Sequence, residues 1–203
     1  MGDDETKQKF VKTPLLYQLT EYDCGTAIVS NALRYLFYRA EICPEVLKHL
    51  VQYTLDVPNG KGENCKGGTS TKAMYSLCEW LNENGPKRGM NLHCVSLPQA
   101  ECSIYNQTLE KSIHRGGIAI VRVYQNLEHY CLLTKLDSEY AYLFDPYYLS
   151  SDFQNKDSSF EVVKDKPFEY NRKVLKTRMD EKSGKDFSLV EGENQQIIII
   201  ERS

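Results

Sequence analysis

Residues 17–25 read Tyr-Gln-Leu-Thr-Glu-Tyr-Asp-Cys-Gly and run directly into a helical pattern over residues 24–38. Apolar side chains recur there at the spacing of one helix face: Ala27, Ile28, Ala32, Leu33 and Leu36. Cys24 is therefore expected at the N-terminus of the first helix, where the positive end of the helix dipole favours thiolate over thiol. The thiolate is the nucleophilic form, so this placement suits covalent catalysis. A lone cysteine near a helix start is nonetheless more often a structural core residue.

Gln18 precedes Cys24 by six residues and adds a second chemical group to the same stretch. Its side-chain amide is expected to donate to an oxyanion together with the backbone N–H of Cys24, an arrangement that stabilises acyl-transfer intermediates. Gly25, directly after the cysteine, is expected to let a substrate carbonyl approach the backbone closely. The stretch therefore predicts a nucleophile with an oxyanion site beside it.

The helical patterns come first along the chain. Pro44 is tolerated in the first turn of a second helix, and the glycine-rich residues 58–68 are typical of a surface loop. The apolar stripe predicted for the second helix consists of Leu47, Leu50, Val51 and Leu55. A third helix is predicted from a stripe at Met74, Leu77, Cys78 and Leu81.

The second half of the chain is rich in β-forming residues. Strands are predicted over residues 91–97, 118–124, 130–136, 140–144 and 195–201. Residues 105–115 predict a short helix, and the charged residues 172–182 are also compatible with one. Helices followed by strands indicate the α+β class, with a helical lobe packed on an antiparallel β-sheet.

His129 and Asp145 lie at the ends of two of these predicted strands. If the strands form a hairpin with a three-residue loop, Leu136 lies opposite Tyr140 and Cys131 opposite Asp145. His129 and Asp145 are then diagonal neighbours on one face, within side-chain reach. A loop with an even number of residues places them on opposite faces. A carboxylate beside the imidazole would hold its tautomer and stabilise the imidazolium.

Composition excludes several classes of function. The chain has 203 residues and a net charge of −3, which argues against a phosphate-binding surface, so no nucleic acid is expected as a partner. Its seven cysteines include no C-x-x-C pair, so no metal site is expected, and reduced thiols favour a cytoplasmic location. The longest strongly apolar run, residues 197–200, is too short for membrane insertion. We predict one domain over residues 1–203 with a flexible N-terminus at residues 1–12.

Gln18 with Asp23-Cys24-Gly25, then His129-Tyr130 before an apolar strand, then Asp145-Pro146, resembles the C39 peptidase and C39-like group of papain-like cysteine peptidases. The resemblance covers roughly residues 14–148. It implies a papain-like fold in which Cys24 is the nucleophile, His129 the general base, Asp145 the orienting residue and Gln18 the oxyanion donor. Residues 149–203 have no assigned counterpart.

The resulting hypothesis is a cysteine hydrolase of the peptidase or amidase type that acts through a thioester on Cys24. Its expected substrate is a peptide or a small amide, and no cofactor is implied. Two alternatives stay open at this point. The same residues would suit an acyltransferase or a transglutaminase-like enzyme, and the domain would also serve as a catalytically silent peptide-binding module. The sequence sets neither the substrate nor the oligomeric state.

Overall fold

The structure is a computed structural model that describes residues 11–148 and 157–203. Residues 1–10 of the N-terminal stretch predicted to be flexible lie outside these ranges. The last two residues of that stretch contact the first helix and the turn after it. The backbone carbonyl of Val11 accepts from the Arg39 N–H at 2.9 Å, and Lys12 Nζ donates to the Tyr35 carbonyl at 2.6 Å.

The described residues form five α-helices, named here in chain order: α1 (Cys24–Leu36), α2 (Pro44–Tyr53), α3 (Thr71–Asn84), α4 (Gln107–His114) and α5 (Lys176–Asp180). Two of the starts follow from the sequence signals. Pro44 opens α2, where its missing N–H costs nothing. Asn106 caps α4, because its side-chain oxygen accepts from two backbone N–H groups of the first turn.

One antiparallel sheet holds all the strands of the described residues: β1 (Leu92–Ser96), β2 (Ile118–Gln125), β3 (Leu127–Leu136), β4 (Tyr140–Phe144), β5 (Phe160–Val162), β6 (Arg172–Leu175) and β7 (Ile197–Arg202). Their order across the sheet is β1-β7-β2-β3-β4-β6-β5. The mixture of helices with an antiparallel sheet agrees with the predicted α+β class. The central strands β2 and β3 each pair with a strand on both edges. Their side chains alternate between the two faces of the sheet, and each face packs into a separate core.

The helices pack on the two faces of this sheet. Alternate strand residues such as Ile120 and Leu132 face a core that also takes the buried sides of α1, α2 and α3. The intervening residues, such as Val121 and Leu133, face a second core with α4, α5 and the C-terminal segment. The sheet is therefore apolar on both faces. The N-terminus of α1 lies beside the beginning of β3.

Two sequence predictions about elements are wrong. In α2 the buried side chains are Val46 and Leu50, whereas Leu47 and Val51 of the predicted stripe are exposed. The sequence also allows an apolar stripe that begins one position earlier, with Val46 and Leu50 at i and i+4. Packing against α3 buries this second stripe. Residues 172–182 do not form one helix: they split into strand β6 and the single-turn α5. Pairing of β6 with β4 overrides the helical tendency of this charged segment.

Candidate functional site

Cys24 is the first residue of α1, as predicted, and its side chain is 9% exposed. The preceding Asp23 does not cap the helix with its side chain. Its carboxylate instead accepts from the Leu19 N–H at 3.0 Å, the Thr20 N–H at 2.7 Å and the Thr20 hydroxyl at 2.6 Å. Asp23 therefore closes the loop before the cysteine into a fixed shape.

Two further contacts hold this loop against the rest of the molecule. Asn31 lies within α1 and is fully buried. Its side chain exchanges two hydrogen bonds of 2.8 Å with the backbone of Leu16. The Gln18 N–H donates to the Pro146 carbonyl at 2.8 Å. The segment that carries Gln18 is thereby tied both to the cysteine helix and to the chain directly after Asp145.

His129 and Asp145 meet, although the predicted loop between their strands is wrong. Leu136 pairs with Ala141, and the Asp137 N–H donates to the Tyr140 carbonyl at 3.0 Å, so two residues rather than three make the turn. An even loop alone would place the two side chains on opposite faces. The register shifts between Leu133 and Lys135, however, and this bulge adds one residue to β3.

Beyond the bulge the register is the predicted one. Leu133 pairs with Leu143 and Leu132 with Phe144, which continues to Cys131 opposite Asp145. The Nε2 atom of His129 donates to Oδ1 of Asp145 at 2.9 Å. The hairpin differs from the expected one in two ways, an even loop and a one-residue bulge. Their effects on the register cancel, so His129 and Asp145 lie on the same face.

Asp145 is completely buried, and both of its carboxylate oxygens are saturated with donors. Oδ1 accepts from His129 and, at 2.8 Å, from the Tyr147 N–H. Oδ2 accepts from Gln125 Nε2 at 3.0 Å and lies 2.9 Å from Nη2 of Arg172. Burial, the largest influence, raises the pKa of Asp145, but the contacts with His129, Arg172 and Tyr147 outweigh it and lower the pKa.

The backbone of Asp145 is fixed as firmly as its side chain. Asn171 accepts from the Asp145 N–H and donates to the Asp145 carbonyl, both at 2.7 Å. Asn171 and Arg172 belong to the C-terminal part of the chain, for which the sequence suggested no role. Gln125, at the end of β2, was missed as well. A glutamine, an asparagine and an arginine without a motif around them give no signal in a single sequence.

His129 also interacts with the Cys24 thiol. Because Nε2 is committed to Asp145, Nδ1 is the nitrogen left to face the sulfur. Burial is the largest influence on the imidazole and lowers its pKa, yet the hydrogen bonds to Asp145, Cys131 and Cys24 raise the pKa of His129 well above its usual value. These contacts therefore favour the protonated, imidazolium form of the ring.

The Cys24 thiol responds in the opposite direction. Burial raises its pKa most, but the hydrogen bond and positive charge of His129, with backbone donors at Tyr130 and Gly25, bring the pKa below its ordinary value. A lowered thiol pKa beside a raised imidazole pKa describes a thiolate–imidazolium pair. All seven cysteines lie in the described residues and are free thiols.

A cleft of about 480 Å³ opens beside the cysteine. Cys24, His129 and Gln18 all contribute to its wall, so the structure brings these three predicted site residues to one solvent-accessible space. The turn between β2 and β3 forms one side, and the backbone of Gly67 and Gly68 from the glycine-rich loop forms part of another. Asp145 lies behind His129 and is shielded from the cleft.

Gln18 is half-buried, and its amide is partly engaged. Nε2 donates one hydrogen to the Thr20 carbonyl at 2.6 Å, which leaves its second N–H uncommitted in that contact. Its Oε1 atom is buried without a hydrogen-bond partner. The Gln18 side chain is part of the cleft wall. Its orientation is set by the bond to Thr20, which belongs to the loop that Asp23 closes.

The structure gives a packing reason for glycine at position 25. A Cβ atom at this position would lie 2.6 Å from Oγ1 and 2.7 Å from Cβ of Thr69. The predicted approach of a substrate carbonyl to this backbone stays a prediction. Glycine is required here because α1 and the segment leading into α3 approach each other too closely for any side chain.

One group of side chains has the composition of a metal site. His129, Cys131 and Asp145 each bring a ligand-type atom within 4.8 Å of the others. Asp145 has already used its oxygens, and the guanidinium of Arg172 at 2.9 Å repels a cation. The residues present therefore fit a hydrogen-bonded charge network better than a metal ion.

One solved structure is similar to this chain in fold. Among solved structures, the chain is similar to one described as a "putative C39-like peptidase from Bacillus anthracis", with a TM-score of 0.52 and 18% identity. The alignment covers 94% of this chain and 95% of that one. At this identity the likeness shows the fold. No family model matches the sequence, and no curated protein matches it with significance. Among the described helices, none is long and apolar enough to cross a membrane.

Proposed function

We propose that this protein is a papain-like cysteine hydrolase of the peptidase or amidase type. One observation carries the proposal: His129 lies between Asp145, to which it is hydrogen-bonded, and Cys24, with the pKa of the thiol lowered and that of the imidazole raised. The similarity in fold to a C39-like peptidase supports the same class. The seven free thiols support a reducing compartment such as the cytoplasm.

In this proposal the Cys24 thiolate attacks the carbonyl carbon of an amide that lies in the cleft, and a carbon–sulfur bond forms. The oxyanion accepts from the Cys24 N–H, which as a first-turn group has no partner within the helix, and from the free N–H of Gln18. The carbon–nitrogen bond then breaks while the His129 imidazolium gives its proton to the leaving amine.

Water completes the cycle. It attacks the thioester carbonyl while His129, now neutral, takes a proton from it, and the acid leaves as the carbon–sulfur bond breaks. Asp145 stays ionised throughout, since it holds the imidazole in place and compensates its charge. An amine in place of water would give acyl transfer from the same intermediate.

The test is the acyl-enzyme itself. The protein is mixed with p-nitrophenyl acetate, a general acyl donor, and with a library of N-blocked peptidyl aminomethylcoumarins. Intact mass spectrometry followed by peptide mapping then locates the acyl group. We expect acylation on Cys24 in the native protein and in Cys131→Ala, and none at position 24 in Cys24→Ala.

Turnover of the acyl-enzyme with and without added glycine methyl ester separates hydrolysis from transfer. Release of acid at the same rate in both conditions supports the hydrolase, and capture by the amine supports the transferase. Native protein that forms no acyl-enzyme on Cys24 with either reagent contradicts the proposal and favours a peptide-binding module.

A further inference from the structure

Arg172 is the least expected neighbour of the site. It is the first residue of β6, it pairs with Leu143 of β4, and its side chain is only 3% exposed. Nη1 donates to the Asn171 carbonyl at 3.0 Å and Nη2 to the Tyr147 carbonyl at 3.3 Å, which hold the guanidinium in place. Its closest charged contact is Oδ2 of Asp145, at 2.9 Å.

The charges along this line alternate in sign. Cys24 as thiolate, His129 as imidazolium, Asp145 as carboxylate and Arg172 as guanidinium sum to zero. The remaining titratable group that faces His129 is Cys131, and burial raises the pKa of that thiol to about 11, so it is neutral at ordinary pH. Without Arg172 the buried set would carry one uncompensated negative charge, which is costly away from water.

We propose that Arg172 is a positioning residue of the site, which locks the carboxylate of Asp145 from the side opposite His129 and sets the pH range in which Cys24 and His129 form their ion pair. This inference rests on the function proposed above. It gives the C-terminal segment, residues 157–203, a role in the chemistry, although no described residue of that segment is among those that line the cleft with Cys24.

Charge and shape make separable contributions. Removing a nearby positive charge makes every group of the set harder to deprotonate. Both limits of the ion pair, formation of the thiolate and loss of the imidazolium proton, then move to higher pH, by about half a unit to one unit across this separation. A lysine keeps the charge but lacks the planar fork of arginine, so it cannot hold the same set of oxygens.

The experiment measures the rate of alkylation of Cys24 by iodoacetamide between pH 3 and 10, by peptide mass spectrometry. It compares the native protein with Arg172→Met, Arg172→Lys and the control Arg178→Met. Arg178 belongs to the same C-terminal segment, its side chain is 10% exposed, and it pairs with Asp157 and Glu181, away from the site. Should Arg172→Met not fold by circular dichroism, Arg172→Gln takes its place.

We expect both limits to rise in Arg172→Met, to stay in place in Arg172→Lys with a rate reduced severalfold, and to stay in place in Arg178→Met. Limits that do not move in a folded neutral variant overturn the inference and leave the proposed function standing. Limits that move equally in the lysine variant also overturn it, because the charge is then not the cause. A native Cys24 that ionises like a free cysteine overturns both proposals together.

Discussion

Two cysteines from different regions of the molecule contact the same imidazole, and their pKa values move in opposite directions. Cys24 stands at the first turn of α1 beside the cleft, whereas Cys131 lies inside β3 with no exposed surface. Burial raises the pKa of both thiols. For Cys24 the contacts with His129 and the backbone donors reverse that effect. For Cys131 the charge of Asp145 adds to it, and the pKa rises to about 11.

The difference shows that a histidine contact does not by itself make a thiolate. Cys24 also receives backbone N–H donors of the kind that every helix start leaves free. Cys131, two residues after His129 on the same strand, lies beside both the imidazole and the carboxylate, where a second negative charge is opposed. The position of Cys24 at the start of a helix therefore distinguishes it from Cys131 as the proposed nucleophile, although both thiols lie near His129.

Exchange of each thiol for alanine gives the largest contrast. We expect Cys24→Ala to lose hydrolysis of whichever library peptide the native protein cleaves by about 10³-fold or more, because no other group forms the thioester. Cys131→Ala should retain activity within about tenfold and lose stability by about 1–2 kcal/mol, the effect of a small cavity. Initial rates and urea unfolding of both variants measure this. Equal losses in the two variants would contradict the assignment of the nucleophile.

Asp145→Asn should affect both stability and rate. The structure places Arg172 against this carboxylate with 3% of its side chain exposed. The variant leaves a buried guanidinium unpaired, so we expect a loss of about 3–5 kcal/mol in the free energy of unfolding. Turnover should also fall, by less than in Cys24→Ala, since the residue orients rather than reacts.

The matched control for this variant is Asp157→Asn, which removes a carboxylate from the more exposed pair with Arg178. That change should cost about 1 kcal/mol or less and leave turnover unchanged. Urea denaturation followed by circular dichroism gives both free energies. A native-like stability for Asp145→Asn would show that Arg172 finds another partner.

Gln18→Ala should have the smallest effect of the three. Its amide lies in the loop closed by Asp23 and reaches the cleft, so we expect turnover to fall by about 10²-fold while KM changes little. The helix and sheet stay in place, because Gln18 is half-buried and its backbone bond to Pro146 survives the change. The control is the exposed Gln52→Ala. Unaltered turnover in Gln18→Ala would place the oxyanion donor elsewhere.

The residues that meet in the cleft could be predicted because each belongs to a local pattern. Cys24 precedes a helical repeat, and His129 and Asp145 sit at strand ends. The parity of the hairpin could not be predicted, since the bulge near Thr134 leaves no mark that distinguishes it from regular strand. Arg172 could not be predicted either. Its approach to Asp145 depends on the pairing of β6 with β4. The sequence of this charged, helix-compatible segment does not indicate that long-range contact.

The ionisation of Cys24 is the centre of this account, and its alkylation rate as a function of pH tests it most directly. Iodoacetamide alkylates accessible thiols, and N-acetylcysteine in the same solution serves as the reference for a free thiol. The account predicts that the alkylation rate of Cys24 rises at lower pH than that of N-acetylcysteine, while the buried Cys131 stays unlabelled. A Cys24 rate that rises in parallel with that of N-acetylcysteine would contradict the thiolate–imidazolium pair and the proposed function with it.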